Sequence, residues 1–171
     1  PVWRDSETAL RATRRLIAIA RETGARVHVL HITTAEEIRF LAENKDISSV
    51  EVTPQHLTLS APDCYTELGT RAQMNPPIRD ESHRQGLWWG LQQGVVDVLG
   101  SDHAPHTLEE KGTIYPASPS GMPGVQTMLP VMLDHAASGR LSLLRLMDLL
   151  CAGPARLFGI AGKGRIAVGN D

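Results

Sequence analysis

An α/β fold with a parallel sheet is the class that this sequence predicts. Short β-branched runs alternate with segments of helical periodicity, which is the pattern of right-handed βαβ units. The two long irregular stretches each begin near the end of a predicted strand. Loops longer than about 12–15 residues are usually functional or disordered, and parallel folds place their chemistry at the carboxyl ends of strands. We therefore expect a site at that edge of the sheet.

The first half of the chain predicts two helices and two strands. Gly24 ends the first helix, and Thr34 with Glu37 has the spacing of a capping box for the second. Pro54 ends the second strand, and an irregular stretch over 55–79 follows. The predicted ranges are a helix over 7–22, a strand over 27–33, a helix over 35–44 and a strand over 49–53.

The second half predicts one more strand among several helices. Asp80 is the expected N-cap of a helix that Gly94 closes. Three strands are too few to close a barrel, and the first residue is not a methionine, so we expect a piece of a longer protein. The predicted ranges are a helix over 80–93, a strand over 95–100, helices over 124–137 and 141–152, and a short turn over 154–158.

Composition and charge argue against several classes of partner. The 171 residues are 42% hydrophobic and 21% charged, with a net charge of −2, which is typical of a globular domain. This charge predicts neither nucleic acid nor a membrane surface as a partner. No apolar run approaches the roughly 20 residues of a membrane span, and no signal peptide opens the sequence. Cys64 and Cys151 lack CxxC spacing, which favours a reducing, cytoplasmic location.

The most informative segment is 101–106, Ser-Asp-His-Ala-Pro-His, directly after the apolar run 95–100. A carboxylate buried beside imidazoles is unfavourable unless a metal, a proton or a partner compensates. Asp102 has the same strand parity as Val98, so an inward-facing valine predicts an inward-facing carboxylate. Pro105 is expected to turn His106 back over the site.

His31 lies near the carboxyl end of the first predicted strand. Together with Asp102 it would present an imidazole and a carboxylate at one sheet edge, which suits zinc, although catalytic zinc normally has three protein ligands. The alternative is a core histidine bonded to a backbone carbonyl. His28 has the opposite parity and is expected to face the helices.

Two loops supply candidate substrate contacts. Pro76 and Pro77 stiffen the backbone beside Asn75, which would hold its amide in place; an ordinary turn before a helix is the alternative. His56 lies beyond its strand and is expected to cap a loop. Residues 116–124, rich in Gly, Pro and Ser, are either a linker or a loop that closes over a substrate.

Taken in order and spacing, four motifs resemble those of dihydroorotases, which belong to the amidohydrolase superfamily. The resemblance covers the chain from about residue 7 to its end. Singly the motifs are weak, but the ordered set is specific. They are Val-His-Val-Leu-His-Ile-Thr at 27–33, Glu-Val-Thr-Pro-Gln-His at 51–56, Met-Asn-Pro-Pro-Ile-Arg at 74–79 and Ser-Asp-His-Ala-Pro-His-Thr at 101–107.

The resemblance implies a TIM-barrel (β/α)₈ metallo-dependent hydrolase, of which this chain supplies about the last three βα units. Residues 1–160 would be the C-terminal portion of the barrel, and 161–171 the start of the return to a small β-sandwich. The family also needs a first-strand His-x-His pair, a substrate-binding arginine after it, a bridging carboxylate and a fifth-strand histidine. None of these lies in this sequence.

The resemblance also implies roles for six residues. His31 would bind the second metal, and Asp102 would bind the first metal and act as catalytic acid and base. The expected cofactor is zinc, with two ions per site in the complete protein, although manganese or cobalt would also suit these ligands. Asn75, His106, Ser120 and Gly121 match substrate-contacting positions, but the family usually has a bulky residue where Ser120 stands.

The implied reaction is the reversible hydrolysis of dihydroorotate to N-carbamoyl-aspartate in pyrimidine biosynthesis. Hydantoinases, dihydropyrimidinases and allantoinases are the nearest alternatives. A different class of alternative is a non-catalytic, dihydroorotase-like scaffold of aspartate carbamoyltransferase, and retention of both His31 and Asp102 argues against it. A homodimer or a complex with aspartate carbamoyltransferase is the expected assembly.

Overall fold

A computed structural model describes residues 4–171 of the chain. The helices and strands alternate as expected of βαβ units. In chain order they are α1 (Ser6–Thr23), β1 (Val27–Val29), α2 (Ala35–Ala42), β2 (Ser48–Val52), α3 (Pro54–Thr58), α4 (Asp63–Leu68), a 3₁₀ turn (Gly69–Ala72), α5 (Glu81–Gln92), β3 (Val98–Leu99), α6 (Leu108–Lys111), α7 (Met128–Ala137), α8 (Leu143–Met147), a π-helical segment (Asp148–Ala152) and α9 (Gly153–Leu157).

The sheet is parallel, with the strand order β1-β2-β3. The predicted strands over 27–33 and 95–100 were too long, because pairing ends at Val29 and Leu99. His31 and Asp102 therefore follow the strands instead of lying within them. Since all three strands run in the same direction, both residues emerge at the same edge of the sheet.

One face of the sheet packs against the helices. Val29, Val50, Val52 and Leu99 join a single buried cluster with residues of α2 and α5 such as Ile38. Burying such side chains is worth about 1.5–3 kcal/mol each, so this layer stabilises the fold. The helix layer therefore covers the face that carries β-branched and leucine side chains.

The opposite face carries polar residues, and it shows that the prediction for His28 was wrong. His28 pairs in register with Ser49, and Glu51 pairs with Val98. Alternation along the strands puts these residues on the face away from Val29 and Val50. His28 does lie on the face opposite to Val29, as its position predicts. However, Val29 and Val50 face the helices, so His28 faces away from them.

Three helices confirm their predicted capping signals. Gly24 ends α1 in a left-handed conformation and the Thr34–Glu37 capping box opens α2, whereas the N-cap of α1, Asp5, was not predicted. Asp80 caps α5 as expected. These local signals hold because the side-chain oxygens satisfy backbone N–H groups that no helical carbonyl can reach.

Elsewhere the predicted boundaries shift. The stretch 55–79 is not irregular: Thr53 caps α3 with Pro54 in its first turn, and α4 and a 3₁₀ turn follow. A second capping box, Thr107 with Glu110, opens the unpredicted α6. The helix expected over 124–137 begins only at Met128, and the one over 141–152 changes to π-helical geometry at Asp148.

The C-terminal segment 161–171 contains turns and no strand. The division into a barrel portion and the start of a β-sandwich stays a prediction. Within residues 4–171, no helix has the length and apolar character to cross a membrane. On α5, Trp88 packs locally and donates its indole N–H to Leu57 O at 2.9 Å, whereas Trp89 is 43% exposed.

Candidate functional site

The residues after β1 and β3 share an unusual backbone conformation. His31 has φ 37° and Asp102 has φ 42°. Positive φ is uncommon outside glycine and costs on the order of 1–3 kcal/mol, so it persists where the surroundings impose it. Such strain clusters at functional sites, and here it falls on the two residues predicted to bind metal.

Glu51 joins the ends of the two outer strands. The His31 N–H donates to Glu51 Oε1 at 3.3 Å. On the other side, a Cβ built on Gly100 would lie 2.3 Å from the Glu51 carboxyl carbon, so only glycine leaves room for that carboxylate. His28 Nε2 lies 3.5 Å from Glu51 Oε2 without a hydrogen bond. Glu51 thus contacts the segments that lead to both His31 and Asp102, and the sequence patterns missed it.

His56 anchors the loop that carries Asn75. Its Nδ1 lies 2.7 Å from Thr53 Oγ1, and its Nε2 lies 3.0 Å from Pro76 O. A carbonyl only accepts, so Nε2 carries the proton and Nδ1 accepts from the threonine hydroxyl. The pKa of His56 is lowered from 6.5 to about 4, chiefly by burial and to a smaller extent by the charges of His31 and Arg79, while the hydrogen bond to Pro76 O opposes the change. The expected structural contact is therefore observed, on a loop predicted to bind substrate.

Two cavities meet at Asn75. His31 and Asn75 line a cavity of about 370 Å³, and Asn75 and Ser120 line another of about 640 Å³. Asp102, His106 and Gly121 are absent from the linings of both cavities in the described part of the chain. Three of the six predicted site residues therefore line these two cavities, and Asn75 is the one that borders both.

Arg4 contacts Asn75, and Arg79 in turn bonds to the backbone of Arg4. Arg4 donates to Asn75 Oδ1. Arg79 donates to Arg4 O at 2.6 Å and to Thr33 Oγ1 at 3.3 Å. Burial lowers the pKa of Arg79, and the negative charge of Glu37 opposes that change. These contacts give the Asn75 amide a defined orientation in which its oxygen is already engaged.

His106 and Gly121 lie side by side over the loop that follows β3. A Cβ built on Gly121 would lie 2.4 Å from Ala104 O and 3.1 Å from His106 Nε2. His106 Nδ1 lies 3.6 Å from Glu110 Oε2. His103 points away from this pair, since its Nδ1 accepts the N–H of Gly124 at 3.0 Å. The position of His106 over the substrate site stays a prediction.

The donor set at the strand ends suits a metal, but it is incomplete. An imidazole nitrogen and a carboxylate oxygen are ligands that zinc accepts, and His31 and Asp102 offer one of each. Among residues 4–171 there is no group of three or more His, Cys, Asp or Glu side chains that could hold a metal ion. Further ligands would have to come from outside this segment.

The sequence is similar to a known protein family and to several curated proteins. Residues 6–171 match the amidohydrolase family. Dihydroorotase from Halobacterium salinarum is 41% identical over 99% of this chain, and the chain covers 39% of that protein. Dihydroorotase from Archaeoglobus fulgidus is 38% identical, again over 99% of this chain and 38% of its own length.

Two solved structures that superpose on this chain are described as hydantoinases, whereas the two curated relatives are described as dihydroorotases. L-hydantoinase from Arthrobacter aurescens superposes with a TM-score of 0.88 at 33% identity, covering 94% of this chain and 37% of that one. D-hydantoinase from Thermus sp. superposes with a TM-score of 0.88 at 27% identity, covering 98% and 39%. The chain thus spans well under half the length of the relatives that it matches.

Proposed function

Because the chain belongs to the amidohydrolase family and forms three βα units of its TIM barrel, we propose that the complete protein is a dihydroorotase. The reaction is the reversible hydrolysis of the cyclic amide of dihydroorotate to N-carbamoyl-aspartate. The observation that carries the choice of substrate is the 41% identity to a dihydroorotase over 99% of the chain. Cytoplasmic pyrimidine biosynthesis is the expected setting.

The family generally uses a metal, and His31 and Asp102 are the residues of this chain that would hold it. Zinc is the proposed ion, with two ions in the complete site. When bound, it would polarise the ring carbonyl and lower the pKa of the attacking water. The remaining ligands are assigned to parts of the protein outside residues 4–171.

Asp102 is proposed to move the proton. A carboxylate beside the scissile amide can accept a proton from water and deliver it to the departing nitrogen, which is general acid–base catalysis. Asp102 is half-buried and has a left-handed backbone directly after β3, at the carboxyl edge of the sheet. That placement supports a catalytic role in preference to a surface carboxylate.

Four residues are proposed to hold the substrate. Asn75 borders both cavities, and Ser120 borders the larger one. His106 lies against Gly121, where a side chain in place of glycine would collide with the backbone of Ala104. An imidazole, an amide and a close backbone can bind the carboxylate and the polar ring of dihydroorotate, which gives specificity more than rate.

Hydrolysis of an uncharged cyclic amide is the second candidate. It is favoured by the structural similarity to proteins described as hydantoinase and dihydropyrimidinase, at TM-scores of 0.85–0.89. These matches are less identical in sequence than the dihydroorotases, at 26–33% against 35–41%. The two candidates differ in whether the ring bears a carboxylate.

The test is a comparison of substrates on the complete, zinc-loaded protein. Dihydroorotate is assayed beside dihydrouracil, hydantoin and allantoin, and preference for dihydroorotate is expected. Activity only on uncharged rings would favour the second candidate. No activity on any ring, with metal bound, would leave a non-catalytic scaffold as the better explanation.

Replacing Asp102 tests the mechanism. We expect Asp102→Asn to lower turnover by about 10²–10⁴-fold, because an amide cannot shuttle the proton. Asp134→Asn is the matched control, since Asp134 is exposed on α7. If Asp102→Asn retains wild-type turnover, Asp102 is not the acid–base group.

A further inference from the structure

Lys111 is a buried cation without a carboxylate partner in the described part of the chain. The residue is only 6% exposed, at the last position of α6. Its ammonium donates to three backbone carbonyls, those of Gln73 at 2.8 Å, Pro119 at 2.9 Å and Gly121 at 3.0 Å. An ammonium has three N–H donors, so this set satisfies it completely.

The three carbonyls belong to two separate loops. Gln73 lies two residues before Asn75, whereas Pro119 and Gly121 flank Ser120. Lys111 itself follows the 101–107 motif through the Thr107–Glu110 capping box of α6. A single side chain therefore links all three segments that carry the proposed substrate contacts.

Gln73 reinforces the same junction from the other side. Its Nε2 donates to Ser118 O at 2.7 Å and to Ser120 Oγ at 3.2 Å. The backbone carbonyl of Gln73 accepts from the Lys111 ammonium and from the N–H of Gly121, the latter at 3.0 Å. The Thr70 hydroxyl donates to Lys111 O and so ties α6 to the same region.

The free-energy cost of burying the Lys111 ammonium indicates that this side chain does more than fill space. Placing an ammonium among neutral groups carries a desolvation penalty, and burial accordingly lowers the pKa of Lys111. An apolar side chain would fill the same space without that penalty, but it could not hold three carbonyls at once. What the charge adds is a fixed relative position of the two loops.

We propose that Lys111 is a positioning residue: its ammonium fixes the loop bearing Ser120 and Gly121 against the loop bearing Asn75, so that the substrate subsite exists before substrate arrives. This inference rests on the proposed function, since it assigns substrate binding to those loops. Lys111 itself touches neither substrate nor metal. Without the Lys111 ammonium, the loops would become ordered only when substrate binds. The entropy lost in ordering them would then weaken substrate binding.

The experiment measures kcat and KM for dihydroorotate in the complete protein. Lys111→Met removes the charge at similar volume, and Lys111→Arg keeps the charge with a different donor geometry. We expect Lys111→Met to raise KM about tenfold or more while kcat changes far less, and Lys111→Arg to restore part of the loss. Lys163→Met is the control, because Lys163 is exposed and paired only with Asp171.

A second readout follows the loop directly. Backbone hydrogen exchange over 116–121, without substrate, should accelerate in Lys111→Met and stay unchanged in Lys163→Met. If Lys111→Met does not fold, Gln73→Leu decides the question. It removes the donors to Ser118 and Ser120 without burying a charge, and it should raise KM in the same direction.

The outcomes separate this inference from the proposed function. If the wild-type protein hydrolyses dihydroorotate and a folded Lys111→Met variant has an unchanged KM, the inference is wrong and the proposed function stands. A fall in kcat at constant KM would also contradict it. If the wild-type protein hydrolyses none of the cyclic amides, the proposed function fails, and the inference fails with it.

Discussion

At the scale of single residues, His56 couples the protonation of one imidazole to the stability of the fold. Its buried ring keeps a pKa of about 4, against 6.5 for an unperturbed histidine. Between these values the unfolded chain binds a proton that the folded chain does not. Stability therefore decreases as the pH falls through this window, and it is fully present above the unfolded value.

This difference predicts a measurable acid sensitivity. From about pH 7 down to about pH 4, His56 should remove up to about 3 kcal/mol from the free energy of unfolding. The measurement is urea denaturation of the complete protein at several pH values. A His56→Gln variant should be less stable at neutral pH and show a shallower pH slope, whereas an equal slope would contradict the assignment.

The sequence singled out individual site residues better than it described their surroundings. Strand parity could not be extended to Asp102 or His31, because pairing ends at Leu99 and Val29 and both residues have positive φ. Glu51 and Lys111 were missed because their contacts join distant segments, such as Lys111 to Gln73. No periodicity encodes such pairs. The roles of the six candidate residues stay predictions.

At the scale of elements, α2 and α5 meet at a contact that only glycine permits. A Cβ built on Gly86 would lie 2.3 Å from Ala35 Cβ and 2.7 Å from Ala35 Cα. Because the second of these atoms is backbone, rotation of a side chain cannot relieve the collision. The two helices would have to separate, which would open the apolar layer beneath them.

We therefore expect Gly86→Ala to destabilise the protein by about 1–3 kcal/mol, despite the better helix propensity of alanine. Thermal or urea denaturation measures the change. Gln85→Ala, at the exposed neighbouring position of α5, is the control and should be close to neutral. Stabilisation by Gly86→Ala would mean that the helices do not approach this closely.

Elements were predictable wherever a local signal exists. The signals at Gly24, Thr34 and Asp80 located one helix end and two helix starts, because capping depends on neighbouring residues alone. The first and third strands were predicted too long, since strand ends depend on which neighbour remains in register. Helices α3 and α4 were missed because short helices have too few turns to show a period.

At the scale of the whole molecule, the proposed metal site needs ligands beyond the two that residues 4–171 would supply. Two ligands are too few for a catalytic zinc, and residues 4–171 contain no cluster of three. The complete protein should therefore bind metal through ligands from both parts. Removing one ligand from this side should weaken binding without unfolding the sheet.

The prediction is that His31→Asn weakens metal affinity at least about tenfold, with the melting temperature of the metal-free protein little changed. Asparagine tolerates positive φ, so the backbone is retained. Metal content after dialysis and the melting curve of the metal-free protein are the measurements. His83→Gln is the control, because His83 lies beside Glu36 on the helix layer. Wild-type metal retention in His31→Asn would remove His31 from the site.

The α/β class and the three-strand parallel sheet followed from alternation alone. The eight-stranded barrel came from the resemblance, because no property of three strands specifies how many others complete the sheet. The chain covers 37–39% of the relatives and solved structures compared above, which accounts for that limit.

The left-handed conformation at His31 and Asp102 also restricts how this site could be redesigned. Gly adopts such φ values freely and Asn, Asp and His do so at a lower cost than Val, Ile and Thr. Substitutions at these two positions should therefore be chosen from Gly, Asn, Asp and His. Exchanging His31 for aspartate, or Asp102 for histidine, would alter ligand charge and metal preference on an unchanged backbone.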